Sequence, residues 1–228
     1  MTTWMQRVSW DRPITSYSKV QGLISRFIRN RRFHINYDSL SRKKYLNVGC
    51  GPYPKPTCIN LDYGWHPEID ICWDITKGLP LDDHSVTGIF TEHVLEHISF
   101  SSCDYVLGEF RRILKPGGVL RIVVPDGELY LSRYTELMQL LTNEPLPYSS
   151  GDSYEGLYSP MMSVNRIFRA HGHQFIYDFQ TFDLLLHKNG FTEVQKAEYN
   201  HGRNPDLLFD QKSRSVESLY VEAIAPIN

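Results

Sequence analysis

Residues 45–52 read Tyr45-Leu46-Asn47-Val48-Gly49-Cys50-Gly51-Pro52, a short apolar run that breaks directly into two glycines. The run Tyr45–Val48, bounded by turn formers, predicts a buried strand. Glycines just after it let the backbone turn sharply and approach a ligand with no Cβ in the way. The same alternation continues downstream: Cys58–Leu61, Ile69–Trp73 and Thr87–Thr91 predict strands two to four. A helix over about Ser102–Leu114 is expected to stop at Lys115-Pro116-Gly117-Gly118. The β-branched run Val119–Val124 then predicts a fifth strand, closed by Pro125. Strands alternating with helices imply an α/β fold with a mainly parallel sheet.

Residues 127–176 break this rhythm with helices expected at Leu129–Leu141 and near Ser163–Arg169, separated by a loop rich in Ser, Gly, Pro and Tyr. Alternation returns with Asp178 as an N-cap, a helix through His187 ended by Asn189-Gly190, and strands at Phe191–Tyr199 and Ser218–Ala225. Upstream, residues 1–17 have no periodicity. From Ser18 to Arg31, however, Val20, Leu23, Ile24, Phe27 and Ile28 recur at helical spacing between basic residues. The expected organisation is a basic arm over 1–43 and one domain over 44–228.

Charge separates these two parts. Residues 1–44 hold ten Lys or Arg against Asp11 and Asp38, leaving fourteen basic and twenty-four acidic residues in the remainder. A basic amphipathic helix suits an anionic membrane surface, and it equally suits packing on its own acidic body. Peripheral membrane contact is therefore one expected partner role, and nucleic acid is not an expected partner. Oligomeric state is left open. No run of about 18 apolar residues predicts a membrane span, and the N-terminus lacks a secretory h-region. Cys50, Cys58, Cys72 and Cys103 stand singly, which argues against zinc-site and disulfide frameworks and for a reducing, cytoplasmic setting.

In sheets of this kind ligands bind beyond the carboxyl ends of the strands. The residues there are chemically apt. Asp62, ending strand two, has the carboxylate to accept from both hydroxyls of a ribose, and Tyr63 offers an apolar face to a purine. Asp74 can accept from an exocyclic amine while Ile75 packs on the ring. Strand four leads into Glu92-His93-Val94-Leu95-Glu96-His97, where His93 and His97, four apart, are expected to share one helix face, as are Glu92 and Glu96.

Taken in order, Asn47–Pro52, Asp62, Asp74 with Leu79-Pro80-Leu81-Asp82, Glu92–His97 and Leu114-Lys115-Pro116-Gly117-Gly118 resemble the class I methyltransferases that use S-adenosylmethionine, in particular the small-molecule type. The resemblance covers about residues 44–126, and it implies a methyltransferase domain over 44–228 in which 127–176 is an insertion that covers the substrate. It implies a Rossmann-like seven-stranded sheet ordered 3-2-1-4-5-7-6 with the last strand antiparallel. It also implies Asn47, Gly49, Cys50, Gly51 and Pro52 beside the methionine portion, and Asp62 with Tyr63 at the ribose and adenine. Asp74 and Ile75 would meet the adenine, and Glu92 and His93 the sulfonium end.

Two departures stand out. Asn47 occupies a position where the family commonly has an acid, and Gly51 to Asp62 spans eleven positions where about twenty are usual. Pro52, Pro54 and Pro56 oppose a helix in that gap, so a shortened or missing first helix is expected, as in a compact subgroup with a similarly short gap. The cofactor grip then falls more on loop amides than on a helix N-terminus.

Methyl transfer to a hydroxyl also needs a proton acceptor. His171 and His173 are the first candidates, and Asp126 the next. Arg166 and Arg169 are candidates for an anionic substrate group, with a solvated helix face as the alternative. A metal reading through His171, His173 and a carboxylate or His93 wants a third identified ligand, so no metal is expected. Strand four is followed by Thr91-Glu92-His93-Val94 instead of a (D/N)-P-P-(Y/F) signature, which favours oxygen over amino nitrogen. The expected acceptor is a small molecule or saccharide. The rivals are a nicotinamide-dependent oxidoreductase, opposed by Pro54 where a third glycine would stand, and a non-catalytic nucleoside-binding module.

Overall fold

A computed structural model describes residues 18–140, 146–147 and 156–227. The irregular arm expected over 1–17, and much of the loop expected after Leu141, lie outside them. Seven strands form one sheet in the order β3-β2-β1-β4-β5-β7-β6: β1 Tyr45–Val48, β2 Cys58–Asp62, β3 Ile71–Cys72, β4 Val86–Glu92, β5 Leu114–Pro125, β6 Thr192–Ala197 and β7 Ser218–Ile224. β7 runs antiparallel to both β5 and β6, while the β1–β2, β1–β4, β2–β3 and β4–β5 pairs are parallel. The fold is the Rossmann-like α/β architecture that the sequence implies.

The central strands are buried from both faces, which explains their nearly continuous apolar runs. On one face the main core joins Leu46, Val48, Ile59, Leu61, Ile89, Leu120 and Ile122 to two helices. These are α3 (Phe100–Ile113) and α6 (Phe179–Lys188). In α3, Cys103, Val106, Leu107, Phe110 and Ile113 recur at helical spacing on the buried side, and α6 starts where Asp178 caps the Thr181 amide at 2.8 Å.

The opposite face is built differently. Phe90, Val119, Val123 and Tyr220 are covered by Leu207 from the segment between β6 and β7. Leu207 sits over Gly88, where an added Cβ would lie 2.8 Å from its Cδ1, so only glycine admits this cover. No helix joins β1 to β2: residues 49–57 are turns and extended chain, as Pro52, Pro54 and Pro56 dictate.

Two expectations are corrected. Glu92–His97 is not an α-helix; β4 runs through Glu92, His93 takes a positive φ of 52°, and a single 3₁₀ turn spans Leu95–His97. His93 and His97 therefore do not share a helix face. β5 begins at Leu114, ahead of the expected Val119, because the chain turns extended as soon as α3 ends. The helix α1 (Lys19–Ile28) exists, with a Ser18–Gln21 capping box, and of its apolar stripe only Ile28 is buried. Ser25 and Ile28 are its buried residues, while Val20, Leu23 and Phe27 stand exposed.

The segment after α1 is tied down across β3. Asn30 Oδ1 accepts from the Asp74 amide at 2.8 Å, His34 Nε2 accepts from the Cys72 amide at 3.1 Å, and Ser25 Oγ accepts from the Trp65 amide at 2.7 Å. Among the described residues no helix is long and apolar enough to cross a membrane.

Candidate functional site

A cavity of about 1210 Å³ opens beyond the carboxyl ends of β1, β2 and β4, where this topology places ligands. Asn47, Gly49, Cys50, Gly51, Pro52, Asp62, Tyr63, Asp74, Ile75, Glu92 and His93 all line it, as do His171 and His173. Asp126 does not. It caps α4 (Gly127–Leu140), its Oδ1 accepting from the Leu129 amide at 3.1 Å, and burial raises its carboxyl above the ordinary range.

The glycine turn is dictated by close packing. Gly49 has φ 67°, and a Cβ there would fall 2.1 Å from Val94 Cγ2. Gly51 has φ 49° with open space where its Cβ would point. Its amide donates to Asp62 Oδ2 at 2.8 Å, and the Gly64 amide donates to Asp62 Oδ1 at 2.7 Å. The buried carboxylate thus pins both turns that frame this end of the cavity.

Asn47 is committed inward, donating from Nδ2 to Asn60 Oδ1 at 3.2 Å across the β1–β2 pair. Asn60 in turn takes the Lys55 amide at 2.7 Å, while its own amide donates to Asp70 Oδ2, and Asp70 is paired with Lys43 at 2.7 Å. This polar network holds residues 49–57 without a helix. Asp74 Oδ1 accepts from the Thr76 amide and hydroxyl at 3.0 and 2.7 Å. The ring of Tyr63 is covered by the Arg29 guanidinium, 3.5 Å from its centroid, so the residue that ends α1 reaches the cavity rim. Burial, then the charges of Asp62 and Asp70, keeps the Cys50 thiol protonated.

At the other end of the cavity lies a histidine cluster. His97 and His173 rings are 4.8 Å apart, and His171 and His173 5.8 Å. Two hydrogen bonds from Gln174 bring them together across the sequence: its backbone amide donates to Glu96 O at 2.7 Å, and its side-chain Nε2 to His97 O at 2.7 Å. His171 holds φ 61°, a left-handed conformation seldom taken by a side-chain-bearing residue. Beneath them Glu96 is completely buried, and neither of its carboxylate oxygens has a hydrogen-bond partner among the described residues.

Burial pushes Glu96 up to about 8, His97 down to about 4 and His93 down to about 2; it also lowers His171 and His173. The imidazoles are neutral near pH 7. His93 Nε2 lies 2.9 Å from Ser218 Oγ. Glu92, raised by burial, accepts from the Gln211 amide at 2.9 Å.

Phe209, Gln211, Ser213, Arg214 and Glu217 complete the wall, and none of them was expected from the sequence. The available signal was length: twenty residues separate β6 from β7, where a hairpin needs about two to five. Arg166 is engaged within the protein, donating to Tyr130 Oη at 2.8 Å and lying 3.6 Å from Glu217. Arg169 is exposed and does not line the cavity.

A methyltransferase-domain family model matches residues 57–122, from the start of β2 into β5. The sequence matches none of the curated proteins. Similar solved structures include an S-adenosylmethionine-dependent methyltransferase from Archaeoglobus fulgidus, 14% identical over 90% of this chain and 94% of that one, with a TM-score of 0.49. Another, from Thermotoga maritima and described as a possible histamine N-methyltransferase, is 16% identical over 89% and 91%, with a TM-score of 0.48. A third, from Mesorhizobium loti, is 13% identical over 82% and 92%, with a TM-score of 0.46.

Proposed function

We propose, for a chain that is a class I S-adenosylmethionine-dependent methyltransferase by its strand order and its methyltransferase-domain match, that it methylates a hydroxyl of a small molecule or saccharide. One observation carries the proposal: a single cavity joins the glycine turn and Asp62 at one end to a cluster of neutral imidazoles at the other. Its volume exceeds the roughly 300–1,000 Å³ typical of a small-ligand site, which suits a cofactor and an acceptor held together.

The residues present fit the cofactor. Gly51 leaves open space where a side chain would stand, and buried Asp62 faces the cavity between two fixed amides. Asp62, Asp74, Ile75 and the 49–52 turn would hold the nucleoside and methionine portions. The bound cofactor supplies an electrophilic methyl group. This chain's contribution is alignment, an effect that supplies roughly 7–11 kcal/mol in favourable cases. Glu92, whose carboxyl burial raises above its ordinary range, and His93, held by Ser218, form the floor where cofactor and acceptor meet. His171 and His173 line the acceptor end and are placed to take up a hydroxyl proton. We place this work in the cytoplasm, in keeping with four buried free thiols.

The test is incubation of the full chain with methyl-labelled S-adenosylmethionine and a panel of hydroxylated small molecules and saccharides. The proposal expects label in a base-stable methyl ether. Label on nitrogen would contradict the hydroxyl assignment, and cofactor binding without transfer to any member would favour the binding-module alternative.

A further inference from the structure

The sequence offered too few ligands for a metal, but the fold supplies the missing ones. Glu96, His97 and His173 each present a ligand atom, all within 4.8 Å of one another. We propose that these three residues bind a divalent cation of the zinc class at the acceptor end of the cavity. The inference rests on the methyltransferase assignment only for the phrase "acceptor end"; the site itself stands on geometry.

Three observations carry it. First, the Glu96 side chain is fully buried, and both its oxygens lack a hydrogen-bond partner among the described residues. A buried unpartnered carboxylate is costly; a proton or a cation relieves it, and the imidazole nitrogens converging on it supply the other ligands of a cation. Its Oε1 lies 3.4 Å from His93 Nδ1 and 3.8 Å from His97 Nε2, too far for strong hydrogen bonds yet close to the edge of a ligand polyhedron.

Second, His173 Nδ1 lies 2.6 Å from Ile167 O. That contact places the ring proton on Nδ1 and leaves Nε2 with a free lone pair. Metal-ligating histidines are held in this way, the second nitrogen donating to a carbonyl or carboxylate. Third, the two ligand-bearing segments are fastened together by backbone: Glu96 O accepts from the Gln174 and Phe175 amides at 2.7 and 3.3 Å. The donor set is therefore preorganised from residues 76 positions apart in the chain.

The set is two imidazoles and one carboxylate. This suits zinc and its neighbours better than magnesium or calcium, which prefer all-oxygen shells. Zinc bonds of about 2.0–2.2 Å require the ligand atoms to close in by roughly an ångström, a shift within reach of side-chain rotation. Three protein ligands leave a fourth position, and His97, His173 and neighbouring His171 face the cavity. An oxygen ligand there would have its pKa lowered by the cation, and with His173 engaged as a ligand the hydroxyl proton would pass to His171.

The experiment takes the full chain, strips it with chelator and titrates it with Zn²⁺ and, separately, Co²⁺. The expected results are one tightly bound ion per chain and, for Co²⁺, visible absorption of a four- or five-coordinate site. Glu96→Gln, close to isosteric, and His173→Ala are expected to weaken binding at least tenfold. His187→Gln, on the exposed side of α6, keeps wild-type affinity. No stoichiometric ion in the wild type, or unchanged affinity in Glu96→Gln, would overturn the proposal. Titration with S-adenosylhomocysteine alongside separates the two claims, since nucleoside binding with no metal binding sinks this inference alone.

Discussion

Arg121 and Asp210 form a completely buried ion pair, with Arg121 Nε donating to Asp210 Oδ1 at 2.9 Å and neither side chain exposed. Arg121 lies in the middle of β5 and also pairs with buried Glu222 of β7 at 2.8 Å. It further donates to the carbonyls of Glu198 and His201 at 2.9 and 3.1 Å. Asp210 stands between Phe209 and Gln211, both of which line the cavity. One guanidinium thus anchors the long β6–β7 segment to the sheet and sets where the cavity wall lies.

Breaking this anchor leaves buried carboxylates without their cation, which costs about 3–5 kcal/mol. Arg121→Met is expected to lower unfolding free energy in urea by that amount. Asp210→Asn keeps the Glu222 pair and should cost less, while weakening nucleoside binding through the displaced wall. Equal stability of wild type and Arg121→Met would contradict the role assigned here.

Gly49 and Gly51 make a paired prediction. Both have positive φ, but a Cβ at Gly49 collides with Val94 and one at Gly51 meets nothing. Gly51→Ala should cost about 1–2 kcal/mol from backbone conformation alone. Gly49→Ala should cost more, and adding Val94→Ala should recover part of the excess. Thermal unfolding of the three variants checks the order.

Glu109 gives a pH signature. It accepts from Arg112 at two points, 2.8 Å each, and from the Leu79 amide at 2.7 Å, fastening residues 79–83 to α3. The Arg112 pairing outweighs burial and holds the Glu109 carboxyl below its ordinary value of 4.5. A depressed folded-state pKa means stability that is present above 4.5 and lost as pH falls through the lower folded value. Glu109→Gln should therefore be less stable than wild type near pH 7, by about 1–2 kcal/mol after allowing for the partly exposed Arg112. That gap should narrow in acid; a constant gap from pH 7 to pH 3 would contradict the pairing.

The strand order was legible because each central strand is short, apolar and followed by a residue with chemistry: Gly49, Asp62, Asp74 and Glu92. Helix ends were legible where a cap was present, as at Ser18 and Asp178. The turn after β4 was not, because the spacing of His93 and His97 fits a helix, and only the tertiary docking of Gln174 on Glu96 selects a 3₁₀ turn. Asp126 looked like a base because it follows β5, and its use as an α4 cap is a local choice that spacing does not distinguish. The His97–His173 pair and the Phe209–Arg214 wall depend on long-range contacts, and no window of sequence contains both partners.

Calorimetric titration with S-adenosylhomocysteine measures whether the 49–52 turn and Asp62 hold the cofactor of a methyl-transfer reaction. The expected result is one site per full chain, with affinity at least tenfold weaker in Asp62→Ala, which removes the acceptor shared by the Gly51 and Gly64 amides. Absence of binding by the folded wild-type chain, or equal affinity in Asp62→Ala, would contradict it.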